Sequence, residues 1–179
     1  MATKAIKTLP KIKAVIGHIP QRLRTTNIDL QYGRLEILRR IVTRLVREER
    51  IELPYNRAVE VRPYMERLIQ LGVHNPREDV YTQEMMQFWL MESDLHKKME
   101  AVLIPRFKSE FPEEPFTSIY KLPRLRFEGF IQKKRIFWRN ESIGVLELNG
   151  NPFPEVIAQR EDHSNNLLNV LVRELKPKA

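Results

Sequence analysis

Residues 33–69, GRLEILRRIVTRLVREERIELPYNRAVEVRPYMERLI, decide how this chain is read. At 100° per residue, Leu35, Leu38, Ile41, Val42 and Leu45 fall on one side of a helix. Arg40, Arg44, Arg47 and Arg50 fall roughly opposite, with Arg39 on the flank. The spacing predicts a helix over about 32–50 that buries its leucines and presents a row of guanidinium groups. Arginine's planar fork suits phosphate oxygens, whereas a solvated surface face needs no such preference over lysine. Arg50-Ile51-Glu52-Leu53 then reads as a short strand stopped by Pro54. Asn56 has the chemistry of an N-cap for a second helix over about 57–71. Its buried stripe is Ala58, Val61, Met65, Leu68 and Ile69. Pro63 either kinks this helix or marks a later start. Gly72 is expected to end it, with a turn at His74-Asn75-Pro76.

A third, long helix is expected over about 77–103, where Tyr81, Met85, Phe88, Leu95, Met99 and Val102 recur at helical spacing. Phe88-Trp89-Leu90-Met91 places apolar residues on nearly every side, which predicts burial on more than one face. A stripe of methionine and aromatic residues is core far more often than a ligand box. Pro105 closes this helix. Beyond Phe111-Pro112 the character changes. Residues 116–122 have strand composition, 130–138 are a second strand or an irregular loop, and 142–148 are a strand ended by Asn149-Gly150-Asn151-Pro152. The expected fold is α+β: three helices packed on one face of a small mixed or antiparallel sheet.

Outside this region lie two extensions. Residues 1–29 form a basic arm, with Lys4, Lys7, Lys11, Lys13, Arg22 and Arg24 preceding the first acid, Asp29. This composition fits a mitochondrial import segment and also a basic arm threading into RNA; one segment can be both. Residues 151–179 form a C-terminal extension. There Ser164 is placed to cap a short helix through Leu167, Leu168, Val170, Leu171 and Leu175, a stripe that needs a surface to cover. The central unit is 30–150.

The bulk numbers narrow the function. A hydrophobic content of 42% in 179 residues builds a core. A net charge of +8, clustered rather than spread, suggests an anionic partner. With no cysteine, disulfides and thiolate chemistry are excluded. Lys121, Arg124, Arg126, Lys133, Lys134, Arg135 and Arg139 face a single acid, Glu128, between 121 and 140. Phe127, Phe130, Phe137 and Trp138 interleave with them, a mixture that suits RNA backbone contact plus base stacking. Most of these rings are nevertheless expected to anchor a basic hairpin on the core.

No pattern announces catalysis. His18, His74, His96 and His163 lie in different elements, and no HExxH spacing puts two ligands on one helical face. There is no glycine-rich phosphate loop and no GxSxG elbow. Glu48-Glu49 and Glu113-Glu114 are adjacent pairs pointing apart, and Asp162-His163-Ser164 are consecutive residues that cannot form one triad. The expectation is no enzyme, no cofactor, no metal, no small-molecule substrate and no membrane span.

From Leu45 to Ile69 the chain resembles the large-subunit ribosomal protein L17 family in its mitochondrial form. The matching positions are Leu45-Val46-Arg47, Glu49, Ile51, Arg57-Ala58, Glu60, Arg62, Glu66 and Leu68-Ile69, without gaps. Pro105-Arg106-Phe107, then Phe116-Thr117 with Ile119 and Lys121, then Ile143 to Leu148, are similar to later family blocks in order and spacing. Leu53 and Pro54 stand where the bacterial pattern has threonines, Glu114 and Pro115 where it has paired glycines. The resemblance covers about 30–150. It implies a structural constituent of the mitochondrial large ribosomal subunit, in the matrix, binding large-subunit rRNA and neighbouring ribosomal proteins. The nucleic-acid contacts it and the charge pattern nominate are Arg22, Arg24, Arg34, Arg39, Arg40, Arg44, Arg47, Arg57, Arg106, Lys121, Arg124, Arg126, Lys133, Lys134 and Arg135. Two rivals remain: a free RNA- or DNA-binding regulator, and a small metabolic enzyme, which needs a ligand pocket.

Overall fold

The computed structural model describes residues 9–14, 32–113, 115–132, 135–157 and 165–175; within 125–141 only Arg135, Ile136 and Trp138 have described side chains. Helix α1 (Gly33–Glu48) forms where the sequence predicts it, and Leu38, Val42, Leu45 and Val46 are buried. Each such side chain contributes about 1.5–3 kcal/mol on burial. The helix stops at Glu49, whose φ of 61° is left-handed. A non-glycine residue is strained there, but its backbone N–H reaches Leu45 O at 2.8 Å and its carbonyl accepts from Leu148 N at 2.8 Å. Arg50, expected on the arginine face, instead opens strand β1 (Arg50–Pro54). The left-handed turn at Glu49 ends the helical period one residue before it.

Helix α2 (Tyr55–His74) is longer than expected at both ends. Pro54 occupies the cap position, so Asn56 is not the N-cap. Pro63 lies inside the helix, which continues through it because Val61 and Met65, on either side, are fully buried. Gly72 does not end the helix either. A Cβ there would stand 2.4 Å from Ile104 Cδ1 and 3.0 Å from Met86 Cε. Glycine is present so that other helical segments can approach closely.

The long third helix is a correction. Helix α3 (Val80–Trp89) is followed by an extended Leu90 (φ −97°, ψ 110°), then α4 (Ser93–Lys98), a π turn (Met99–Leu103) and α5 (Ile104–Glu110). Side chains from elsewhere take up the backbone groups freed at the break. Arg39 Nε donates to Phe88 O at 2.6 Å, the Thr43 hydroxyl accepts from Met91 N at 3.2 Å, and His96 Nε2 lies 3.2 Å from Leu90 O. Pro105 sits in the first turn of α5, where its missing N–H costs little, and the helix runs on past it. The buried row is Thr82, Met86, Leu90, Leu95, Met99, Leu103 and Phe107. Phe88, Met91 and Val102, expected inside, are exposed.

Strands β2 (Thr117–Lys121) and β5 (Ile143–Leu148) complete a three-stranded antiparallel sheet in the order β1-β5-β2. Leu146 is opposite Ile51 on one side and Ile119 on the other. Leu146 and Leu148 point into the core with Ile51, Phe116 and the helices' apolar stripes, so helices cover one face of a small sheet. This is the α+β fold expected. Gly150 takes φ +77° in the turn after β5. Residues 125–141 form a separate hairpin of β3 (Leu125–Gln132) and β4 (Arg135–Glu141). Helix α6 (Leu167–Leu175) is exposed along most of its length. Ser164, its expected cap, lies outside the described residues, as does most of the basic arm.

Candidate nucleic-acid interface

Helix α1 supplies the described row. Arg40, Arg44 and Arg47 recur at i, i+4 and i+7 on its exposed side, and each has a carboxylate nearby. Arg40 Nη2 lies 3.5 Å from Glu36, and Arg44 Nε donates to Glu48 at 2.8 Å. Arg47 pairs with Glu92 and, at 3.3 Å, with Asp94. The Glu48 carboxylate raises the Arg44 pKa above its ordinary value, so this cation is permanent. Exposed i,i+4 pairs are worth only about 0.3–0.5 kcal/mol each. A phosphate can therefore take over these guanidinium groups with little loss to the fold. Arg39 is committed differently: besides its bond to Phe88 O, its guanidinium lies 4.6 Å from the Phe88 ring centre. Arg34 is exposed and paired with Glu60.

A second set of cations stands where the sheet gives way to the hairpin. Lys121 is exposed, its ammonium 5.1 Å from the Tyr55 ring centre. Arg124 and Arg135 are exposed, and Arg57 is half-buried near the start of α2; none of the three has an acidic partner among the described residues. Arg22, Arg24, Lys133 and Lys134, and the Arg126 side chain, lie outside what is described.

Arg106 stands apart from every other nominated residue. Its side chain is 14% exposed, and Nη1 donates to Glu49 Oε2 at 2.8 Å. Glu49 Oε1 receives Lys98 Nζ at 2.8 Å. Burial pushes the Glu49 carboxyl up, but hydrogen bonds from Lys98 and Arg106 outweigh it and hold the pKa below the ordinary value. This triad ties the end of α1 to α4 and α5, and periodicity gave no sign of it because its members are 49 and 57 residues apart in pairs. Glu66 is a second buried acid. It accepts from Phe116 N at 3.1 Å, from Thr117 N at 2.8 Å and from the Thr117 hydroxyl, stapling α2 to β2. Burial raises its pKa against those bonds.

Two grooves of about 300 Å³ flank α2 and α3. One holds Glu100, already paired with Arg77, and the other is lined by Tyr64, Tyr81, Met85 and Trp89. The first groove also carries Lys108 and Thr82, whose hydroxyl donates to Asp79 at 2.7 Å. Among the described residues no cluster fits a metal ion. No described helix is long and apolar enough to cross a membrane.

The described residues thus form a helix-covered sheet with cations on exposed positions and buried acids placed as struts between elements. Residues 37–132, more than half of the chain, match the family model of ribosomal protein L17. The chain is 32% identical over 96 residues to large ribosomal subunit protein bL17 of Caldanaerobacter subterraneus subsp. tengcongensis, covering 54% of this chain and 81% of that protein. It is 31% identical over 77 residues to the protein of the same name from Ehrlichia chaffeensis, covering 42% of this chain and 58% of that one. The chain belongs to the ribosomal protein L17 family. It is a ribosomal protein, structural rather than enzymatic.

Proposed function

We propose that this protein is a constituent of the mitochondrial large ribosomal subunit, where it binds and holds folded rRNA and abuts neighbouring ribosomal proteins. Family membership supports a ribosomal role, and both bacterial relatives carry large-subunit names. The observation that carries RNA binding is the α1 row of Arg40, Arg44 and Arg47, exposed on a helix whose opposite side is locked in the core. The cations neutralise phosphates, and specificity follows from RNA shape. Lys121, Arg124 and Arg135 extend the set, with Arg22, Arg24, Arg126, Lys133 and Lys134 contributing charge by sequence. The mitochondrial assignment is supported by the acid-free, basic composition of residues 1–28. It is supported too by the C-terminal extension after Gly150, which lies beyond the family match at 37–132.

Sucrose-gradient sedimentation of a mitochondrial lysate, probed for this chain, tests the proposal. The expected result is co-migration with the large subunit that persists at moderate salt. A peak at the top of the gradient, above intact ribosomes that lack the chain, overturns it in favour of a free nucleic-acid-binding protein.

A further inference from the structure

Helix α6 leaves its apolar side uncovered. Leu167, Leu168, Leu171, Val172 and Leu175 are all exposed, from 46% at Val172 to 81% at Leu175. At 100° per residue these five share an arc of about 140°, while Asn169 and Arg173 fall opposite. Val170, which is half-buried, lies off that stripe. Among the described residues no other helix or strand packs closely on α6. The helix has nine residues, whereas an isolated helix shorter than about 12–15 residues is marginal in water and draws its stability from packing an apolar face. The stripe therefore calls for a surface outside this domain.

The composition of the helix decides what that surface is. RNA is recognised through phosphates, 2′-hydroxyls and the stacking of rings, and five aliphatic side chains offer none of these a partner. A membrane-surface helix carries a polar face rich in lysine and arginine; α6 has one arginine, Arg173, beside an acid, Glu174. A second copy of the chain is too little for it, since a stable pairing takes about 20–30 residues a side. An amphipathic helix seated in a groove uses anchors at i, i+3, i+4 and i+7, the spacing of Leu168, Leu171, Val172 and Leu175. Arg173, with Lys176 and Lys178 next in sequence, outnumbers Glu174, so the rim that complements this helix is acidic. We propose that α6 inserts its leucine stripe into an apolar groove with an acidic rim on a neighbouring protein of the large subunit. This rests on the ribosomal reading above and adds to it the docking element, its anchors and the chemistry of the surface they enter.

The test is photo-cross-linking in purified large subunits that carry the full chain with a diazirine amino acid in place of Leu171. The expected product joins α6 to one stretch of a different protein, apolar at the attachment site and flanked by acidic residues. A cross-link to rRNA, to phospholipid, to a second copy or back to this chain, or no cross-link, overturns the proposal. A double variant, Leu168→Ser with Leu171→Ser, supplies a second readout. Its urea unfolding should match the native chain, because the stripe does not touch the core; a loss of stability would show that the stripe packs on its own domain and overturns the proposal. Salt screens phosphate contacts but leaves an apolar contact in place, so the fraction retained on the large subunit after a wash at about 0.5 M salt should fall about twofold in the variant. Native retention by the variant overturns the proposal. Co-migration of the native chain is read separately. A native chain missing from the large-subunit peak overturns the ribosomal reading and this inference with it, whereas a native chain in the peak with α6 cross-linked elsewhere overturns this inference alone.

Discussion

Two buried glutamates titrate in opposite senses. Glu66 has a folded pKa raised by burial, so its contribution is complete below the ordinary glutamate value and is lost as pH rises through the folded pKa. Glu49 has a folded pKa lowered by Lys98 and Arg106, so its contribution is present above the ordinary value and is lost as pH falls through the folded pKa. Urea unfolding from about pH 3 to pH 7 should therefore separate them. The advantage of the native chain over Glu49→Gln should grow as pH rises toward the ordinary value and then level off. Its advantage over Glu66→Gln should shrink above that value. Parallel slopes would show that one of these carboxylates is not ionising in the environment described. Arg106 offers a residue-scale contrast with the α1 arginines. Arg106→Gln leaves Glu49 with Lys98 alone and should cost about 2–4 kcal/mol of stability by the same urea assay. Its binding to large-subunit rRNA, measured on the fraction that folds, should keep the native salt dependence, because the guanidinium faces inward.

At the scale of elements, sequence and structure agree where local pattern controls the outcome. Leu38, Val42 and Leu45 lie on one helical face and are buried, and all five stripe residues of α2 are buried. β1, β2 and β5 are short runs of strand composition bounded by breakers, and they form close to where composition put them. The break between α3 and α4 was not legible. Residues 77–103 contain no internal proline or glycine, and the groups that stabilise the break, Arg39, Thr43 and His96, lie partly in another helix. Tertiary hydrogen bonds override a helical period there. The outward row of arginines was legible from the same periodicity as the core. Their acid partners Glu92 and Asp94 were not, because they meet Arg47 only through that break. Thr43→Val tests the account. It keeps the shape but removes the acceptor for Met91 N and the donor to Arg39 O at 2.9 Å. The variant should lose about 1–2 kcal/mol. Hydrogen exchange should speed at Met91 more than at the core strand β5. Equal acceleration at both sites would mean that Thr43 supports the fold as a whole rather than the break.

The whole molecule joins a neutralised interior to a basic exterior. Its net charge of +8 sits on a core whose buried acids, Glu49, Glu66 and Glu147, are all hydrogen-bonded inside the fold. The excess positive charge is thus free to act outward, and affinity for rRNA should fall steeply with salt. Each phosphate contact removes roughly 0.9 log units of affinity per decade of salt on duplex DNA, and structured RNA follows the same counterion logic. Arg40→Glu combined with Arg44→Glu removes two contacts and introduces two repulsive charges. Both sites are exposed and their native pairs weak, so unfolding should change by about 1 kcal/mol or less, even with the new like-charge neighbours Glu36 and Glu48. Incorporation into the large subunit, read as the fraction of chain in that gradient peak, should drop markedly. The salt slope of purified-chain binding to large-subunit rRNA should flatten by about two contacts' worth. Full incorporation with a native slope would remove α1 from the interface. The contacts would then have to come from the basic arm and the hairpin, whose cations the double variant leaves untouched.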